Sequence, residues 1–191
     1  MNATRNELEL ELRRQFVHFL GVLAVPVILF AGRETAVVVI GSLLLLLLAM
    51  SFYRARHRFR NDWLETFILK RERPGAFPLS GAVFFFMGAF CALLLFSQQN
   101  AAAAVAVLAL GDSMSTVVGK MWGRHRLFLN KSKSWEGSLA FFLFAAAALL
   151  FFVQPQKAIV VAALTAVVEA LPRLDDNFTV PIAAGLLLAL L

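Results

Sequence analysis

Long apolar runs separated by short polar segments dominate the hydrophobic pattern of this 191-residue chain. Several runs are shorter than the ~20 residues that cross a ~30 Å hydrocarbon core, but all are long enough to form apolar helices. In chain order they are Phe16–Ala31, Ala36–Tyr53, Phe77–Ser97, Ala101–Val118, Gly137–Val153, Ala158–Leu171 and Phe178–Leu191. The pattern predicts an all-α fold, a polytopic membrane helical bundle of about seven transmembrane helices, in which residues 1–191 form one integral-membrane domain.

Two polar segments carry amphipathic patterns of their own. Residues 1–15 alternate Glu and Leu and end in two arginines, which indicates a helix on the membrane surface that runs into the first span. Residues 54–73 mix seven Lys and Arg with Trp63 and other apolar side chains. Such a basic amphipathic segment is expected to lie in the interface between lipid and water.

The distribution of positive charge indicates an orientation. Sixteen of the 18 Lys and Arg fall in four segments that lie on the same side if seven helices alternate, and the opposite side receives only Arg33 and Lys157. By the positive-inside rule the charged side is cytoplasmic, and so is the N-terminus. The net charge of +6 is then explained by orientation and by anionic headgroups, so we expect the lipid bilayer as a partner and no nucleic acid.

Composition supports a membrane protein with little water-soluble mass. Hydrophobic residues make up 60% of the chain and charged residues 16%, whereas soluble domains contain roughly 45–50% apolar residues. Cys91 is the single cysteine, so no disulfide framework exists. The sequence makes no prediction about oligomeric state.

Residues 110–140 concentrate polar chemistry between two apolar runs. Gly119 and Gly123 permit close approach of backbone to a ligand, and Ser132 and Ser134 offer hydroxyls that also cap a helix starting near Trp135. The N–H groups at such a helix start suit a phosphate. The cations of the segment are Lys120, Arg124, Arg126, Lys131 and Lys133. Together these groups suit a polyphosphate, and we interpret 110–140 as a nucleotide-binding segment.

Acidic residues fall at the same predicted depth. Asp112 lies about two turns before the end of the fourth run, Glu136 begins the fifth, Glu169 lies near the end of the sixth, and Asp176 precedes the seventh. An acid at that depth is costly unless it faces protein, water or a cation. Asp112 also shares one helical face with Ser115 and Gly119. Carboxylates beside such cations indicate Mg²⁺, and the class of reaction is transfer of a phosphate from a nucleotide to a lipid.

Simpler interpretations stay open for each feature taken singly. Gly119-x-x-x-Gly123 is equally typical of a close helix contact, and the basic loop of a positive-inside anchor. Asp176 with Asn177 is a common helix cap, and Glu136 suits the first turn of a helix dipole. Asp112 and Glu169 are the hardest to explain without a function.

The residues in these positions resemble a known family. Gly111, Asp112, Ser115, Gly119, Gly123 and Arg126, followed by Lys133-Ser134-Trp135-Glu136-Gly137 and Ala140, resemble the CTP-binding motif of dolichol kinase, shared with phytol kinases and CTP-dependent diacylglycerol kinases. Glu11, Arg14, His18 and Gly21 resemble the family's entry into its first helix, and Val168–Gly185 its closing motif. Ser115 stands where Ala is usual, and Ser132 replaces the first residue of a Lys-Lys pair.

The resemblance implies a small prokaryotic CTP-dependent kinase in the inner membrane, with its active site on the cytoplasmic face. It would transfer the γ-phosphate to the hydroxyl of a polyprenol, dolichol, phytol-like alcohol or diacylglycerol. Asp112 and Glu169 are then expected to be catalytic, with Asp112 as the base. Mg²⁺ ligands would be Asp112, Glu136 and Asp176, and Arg14 and His18 would bind the lipid. Nucleotide contacts are expected from Gly119, Gly123, Arg126, Lys131, Lys133, Ser134, Gly137 and Asn177.

Two other classes of function remain as alternatives. Phosphatidate cytidylyltransferases share a Gly-Asp and Lys-x-x-Glu-Gly pattern, but their C-terminal signature of Lys-Arg and paired aspartates before a Gly-rich stretch is missing here. A membrane transporter or scaffold accounts for the spans but not for the phosphate-suited groups on one face.

Overall fold

The described part of the protein is helical, in agreement with the predicted all-α class. A computed structural model describes residues 12, 14–16, 18–56, 79–171 and 175–191. The helices are α1 (Ala24–Phe30, preceded by a 3₁₀ turn at Leu20–Leu23), α2 (Arg33–Arg56), α3 (Ser80–Leu95), α4 (Gln98–Val107), α5 (Ser113–Met121), α6 (Trp135–Leu149), α7 (Pro155–Ala170) and α8 (Asp176–Leu190). A π-helical turn, Leu108–Asp112, joins α4 to α5.

Each predicted apolar run coincides with a helical segment, in chain order. Two of these segments, Arg33–Arg56 and Gln98–Met121, are 24 residues long and apolar enough to cross a membrane. Shorter apolar helices occur at Ser80–Leu95, Trp135–Leu149 and Asp176–Leu190. The fifth run was predicted to reach Val153, but its helix ends at Leu149 because residues 150–153 form a turn. Most of the predicted surface helix at 1–15 and of the interfacial loop at 54–73 lies outside the described residues.

The segment Gln98–Met121 is the central helix of the bundle. Within its 18-residue apolar stretch 72% is buried inside the protein, whereas the corresponding share for Arg33–Arg56 is 17%. Ala101–Ala104 are all buried, because α1, α3, α6 and α8 pack around α4. Small side chains at these positions let the neighbouring backbones approach closely. The central helix therefore carries Asp112 into the middle of the packed helices.

Side-chain donors cover helix ends at the side of the bundle opposite Asp112. The guanidinium of Arg33 donates to Leu94 O at 3.1 Å, and the ammonium of Lys157 donates to Leu188 O at 2.8 Å. Gln98 donates to the carbonyls of Ile28 and Leu29 at 2.7 and 3.1 Å. The last carbonyls of a helix have no partner within the helix. Arg33 and Lys157, the two cations that the charge pattern set apart, therefore cap helices here.

Candidate active site

Three carboxylates from three helices meet where α5, α7 and α8 converge. Asp112 ends the π turn, Glu169 lies in the last turn of α7, and Asp176 begins α8. One oxygen of each lies within 4.8 Å of the others. Asp112 and Glu169 are buried, and Asp176 is partly buried. These three residues are called the acidic cluster below.

Lys133 binds the acidic cluster directly. Its Nζ lies 2.6 Å from Glu169 Oε1, 2.6 Å from Asp176 Oδ2 and 2.6 Å from the backbone oxygen of Glu169. A lysine ammonium has three donors, so these contacts use its full capacity. Burial acts to lower the pKa of Lys133, but Glu169 and Asp176 outweigh it and raise the pKa above its usual value. Lys133 is therefore a charged ammonium bridging two acids.

The cluster holds more negative charge than Lys133 neutralises. Burial raises the pKa of Asp176 to about 7, and Asp112 and Glu169 add to the effect although Lys133 opposes it. Ser115 Oγ donates to Glu169 Oε1 at 2.7 Å, but the buried Oε2 of Glu169 has no hydrogen-bond partner among the described residues. A buried oxygen without a partner, between carboxylates, fits an oxygen-coordinated divalent cation such as Mg²⁺.

The π turn determines how Asp112 is presented. A π turn inserts one residue relative to an α-helix and is found often at functional sites. The turn ends at Asp112, and Ser115, three residues later, still reaches Glu169 across the helix interface. Gly119 instead faces Ser134 and Gly137. The predicted face shared by Asp112, Ser115 and Gly119 is therefore divided. Asp112 and Ser115 belong to the acidic cluster and its contacts, and Gly119 belongs to a helix contact.

The segment before α1 brings His18 to Asp112. His18 Nε2 lies 3.5 Å from Asp112 Oδ2, and the His18 ring meets the Phe85 ring edge-on at 4.9 Å. A Cβ on Gly21 would lie 2.4 Å from the Phe85 ring, so this glycine leaves the space that the ring occupies. His18, one of the two predicted lipid-binding residues, is thus beside the acidic cluster.

The glycines of the 110–140 segment lie against protein. A Cβ on Gly123 would meet Gly119 O at 2.2 Å and Ser134 Oγ at 2.6 Å, and one on Gly137 would meet Ser115 O at 2.9 Å. Ser134 caps α6 by accepting a hydrogen bond from Gly137 N–H at 3.2 Å. This geometry favours the close helix contact that the sequence left open. A nucleotide contact by these four residues stays a prediction.

The remaining predicted residues make contacts of different kinds. Arg126 and Lys131 are exposed, and Arg126 Nη1 donates to Ser132 O at 3.4 Å. Asn177 follows Asp176, and its buried Oδ1 has no partner among the described residues. Glu136 is not in the acidic cluster; its carboxylate Oε1 lies 2.7 Å from Nδ1 of His125. Glu169, predicted as catalytic, is the third carboxylate of the candidate metal site.

The comparisons with known proteins agree with this chemistry. Phytol kinase 1, chloroplastic, of Arabidopsis thaliana is 26% identical over 209 residues, which cover 94% of this chain and 66% of its own length. Farnesol kinase, chloroplastic, of the same plant is 29% identical, with 56% of this chain and 41% of its own covered. CTP-dependent diacylglycerol kinase 1 of Schizosaccharomyces pombe is 31% identical over 64 residues, 34% and 29% of the two chains. All three of these relatives are named as lipid kinases.

The resemblance to the CTP-dependent lipid kinase family is thereby confirmed, at modest identity. The chain spans about two thirds of the length of the first two phytol kinases that it matches. No family model matches the chain. No solved structure matches it either.

The sequence did not predict two contacts at this site. His125 was not selected, because its bond to Glu136 depends on the shape of the loop between them. Ser115 was noted for its place on the helix, but its bond to Glu169 spans 54 residues. A hydroxyl one turn after a buried acid was the available signal for Ser115, whereas His125 gave none.

Proposed function

We propose that this protein is a membrane-embedded, CTP-dependent kinase that transfers the γ-phosphate of CTP to the hydroxyl of a membrane lipid alcohol. The observation that carries the proposal is the acidic cluster with Lys133, where helix ends converge in a largely apolar protein. The names of the relatives support a lipid alcohol as acceptor, and that of the diacylglycerol kinase supports CTP. The names phytol kinase and farnesol kinase favour an isoprenoid alcohol as the first to test.

In this proposal Asp112 accepts the proton of the lipid hydroxyl. The hydroxyl oxygen forms a bond to the γ-phosphorus, the bond from that phosphorus to the β–γ bridging oxygen breaks, and CDP leaves. His18, whose Nε2 lies 3.5 Å from Asp112 Oδ2, flanks the carboxylate from the segment before α1. Catalysis of this kind rests on positioning and on neutralising charge.

Asp112, Glu169 and Asp176 would hold Mg²⁺, which neutralises phosphate charge when bound. This set replaces Glu136 of the sequence prediction by Glu169. Ser115 keeps Glu169 in place through its 2.7 Å bond. Lys133 then either balances the cluster or moves to a phosphate oxygen. Arg126 and Lys131 are exposed and reach the nucleotide from water.

Product analysis with labelled CTP tests the proposal in proteoliposomes that contain candidate alcohols. A kinase releases CDP and labels the lipid from the γ-position, whereas a cytidylyltransferase releases pyrophosphate and leaves CMP on the lipid. Pyrophosphate release would overturn the kinase proposal, and absence of nucleotide turnover with every alcohol would favour a transporter or scaffold. A panel of phytol, farnesol, polyprenol, dolichol and diacylglycerol identifies the acceptor, and ATP and GTP test the preference for CTP.

We propose the prokaryotic inner membrane as location, with the active site facing the cytoplasm. A Ser132→Cys variant in a Cys91→Ala background tests this orientation, because Ser132 is exposed beside Lys133. A membrane-impermeant maleimide is expected to label inverted vesicles and not intact spheroplasts. Labelling of intact spheroplasts would reverse the orientation.

A further inference from the structure

Both carboxylate oxygens of Glu136 are engaged by one residue of the preceding loop. The backbone N–H of His125 donates to Oε1 at 3.2 Å and to Oε2 at 3.3 Å. The ring Nδ1 of His125 lies 2.7 Å from Oε1. Glu136 is in the first turn of α6, so this contact joins the helix start to a residue eleven positions earlier.

His125 also begins a short antiparallel turn, residues 125–135, called the hairpin loop here. The backbone oxygen of His125 accepts a hydrogen bond from Trp135 N–H at 2.9 Å. Arg126 and Ser134 form an antiparallel β-bridge. Leu127 N–H donates to Lys133 O at 3.1 Å, which continues the pairing. His125 is therefore held on two sides, by the backbone at Trp135 and by the side chain of Glu136.

The hairpin loop delivers Lys133 to the acidic cluster. Lys133 lies two residues from Trp135, and the backbone bond from Leu127 holds its carbonyl. Its Nζ makes contacts of 2.6 Å with both Glu169 and Asp176. Contacts this short on a buried carboxylate depend on where the loop is anchored, because a displacement near 1 Å would break them.

We infer that Glu136 is a positioning residue that clamps the hairpin loop through His125 and so aims Lys133 at the acidic cluster, and that it is not a metal ligand. The inference rests on the proposed function as far as turnover is concerned. It gives Glu136 a role different from the one expected from its motif. It also gives His125 a role that the motif does not contain.

The protonation state of Glu136 agrees with a clamp. Hydrogen bonds from its own backbone N–H and from His125 lower the pKa of Glu136 to about 2. The carboxylate is therefore ionised throughout the working range of pH. The side chains of His125 and Glu136 are 78% and 27% exposed, so each loss is expected to shift the loop without unfolding the bundle.

Steady-state kinetics of Glu136→Ala, Glu136→Gln and His125→Ala test the clamp, with Glu34→Gln as control. Glu34 is an exposed acid in the first turn of α2. Glu136→Ala and His125→Ala are each expected to raise the nucleotide KM about two- to fivefold, the scale of an exposed pair. The double variant is expected to add little, because both singles remove one contact. Glu136→Gln keeps an acceptor for the His125 N–H and is expected to recover part of the loss. The Mg²⁺ concentration for half-maximal rate is not expected to rise in any of them.

A metal ligand gives a different pattern. Glu136→Gln would then lose as much as Glu136→Ala, half-maximal Mg²⁺ would rise more than tenfold, and His125→Ala would behave as wild type. That pattern would overturn the inference. Independent, additive effects of the two alanine variants would overturn it as well.

Limited proteolysis tests the same clamp without enzymatic activity. In detergent-solubilised protein, trypsin is expected to cut after Arg126 and Lys131 several times faster in Glu136→Ala and His125→Ala than in wild type. The cleavage rate of Glu136→Gln is expected to lie between those of wild type and Glu136→Ala, and that of Glu34→Gln to equal wild type. Equal cleavage in all variants would overturn the clamp. If wild type turns over no nucleotide while cleavage follows the expected order, the proposed function fails and the clamp stands.

Discussion

Replacing Lys133 by Met removes the ammonium that bridges Glu169 and Asp176. Both carboxylate contacts are 2.6 Å long, and a third donor is bonded to the backbone oxygen of Glu169. Methionine keeps the length and apolar stem of the lysine, so the change removes charge and hydrogen bonds more than packing. Two acids then face each other beside Asp112 with no ammonium between them.

The magnitude follows from the burial of the partners. Breaking a buried ion pair costs about 3–5 kcal/mol, because the remaining charge is left without compensation. The side chain of Glu169 is 1% exposed, but those of Lys133 and Asp176 are 19% and 23% exposed. Water at the open side screens part of the charge, so the lower end, about 3 kcal/mol, applies. For a chain of this size that loss lowers Tm by about 6–12 °C.

Thermal unfolding of the detergent-solubilised protein without Mg²⁺ measures this effect. Lys131→Met is the matched control, because Lys131 is an exposed lysine two residues away. The double variant Lys133→Met/Asp176→Asn is expected to recover much of the lost Tm, because it removes an acid together with its cation. An unchanged Tm for Lys133→Met, or a double variant less stable than the single, would refute the electrostatic reasoning.

The same substitution separates a structural role from a catalytic one. Lys133→Ala and Lys133→Met are expected to raise the nucleotide KM or abolish turnover, and the double variant is expected to stay inactive although its stability recovers. If Lys133→Ala is fully active, Lys133 contacts neither nucleotide nor catalytic acid in turnover.

Three further changes test other parts of the site. Asp112→Asn is expected to lower kcat by about 10²–10⁴-fold, the usual contribution of a general base. Higher Mg²⁺ restores little of that loss if Asp112 is mainly the base and more if it is mainly a Mg²⁺ ligand; normal kcat in a folded variant would make Asp112 structural. Since burial raises the pKa of Asp176 to about 7, the folded metal-free protein holds a proton that the unfolded chain releases between about pH 4 and 7. Its Tm is therefore expected to fall as pH rises through that window, and a profile identical to that of Asp176→Asn would contradict this. Gly123→Ala is expected to destabilise the turn, because its Cβ would meet Gly119 O at 2.2 Å, whereas Gly81→Ala meets nothing within 4 Å and serves as control for melting and nucleotide KM.

The positions of the helices and of the deep acids could be predicted from the sequence for one physical reason. In an apolar chain each charged side chain within a hydrophobic run carries a desolvation cost, so Asp112 and Glu169 stand out. The structure brings both together with Asp176. All three acids lie at or near the ends of their helical segments, so the predicted ends of the apolar runs also predicted the depth at which the acids meet.

Other features depend on geometry that composition does not encode. The π turn before Asp112 adds one residue to a helical turn without changing the apolar pattern. The partner of Glu136 depends on the course of the hairpin loop, so the motif position of Glu136 did not predict its bond to His125. Arg33, predicted only as a cation on the far side, caps the end of α3 through a bond that spans 61 residues.

The charge balance of the acidic cluster joins the two roles considered for Lys133. Three carboxylates share one ammonium whose three donors are all used within the protein, and one oxygen of Glu169 still lacks a partner among the described residues. In this arrangement Lys133 stabilises the acids and has no donor left for a phosphate. A divalent cation at the same carboxylates would supply the charge that Lys133 now provides, and would release its ammonium at a point two residues from the base of the hairpin loop. In the proposed kinase, the lysine that holds the cluster together without ligand is, by this exchange, also expected to meet the phosphates, and the proposed His125–Glu136 clamp keeps it within reach of both.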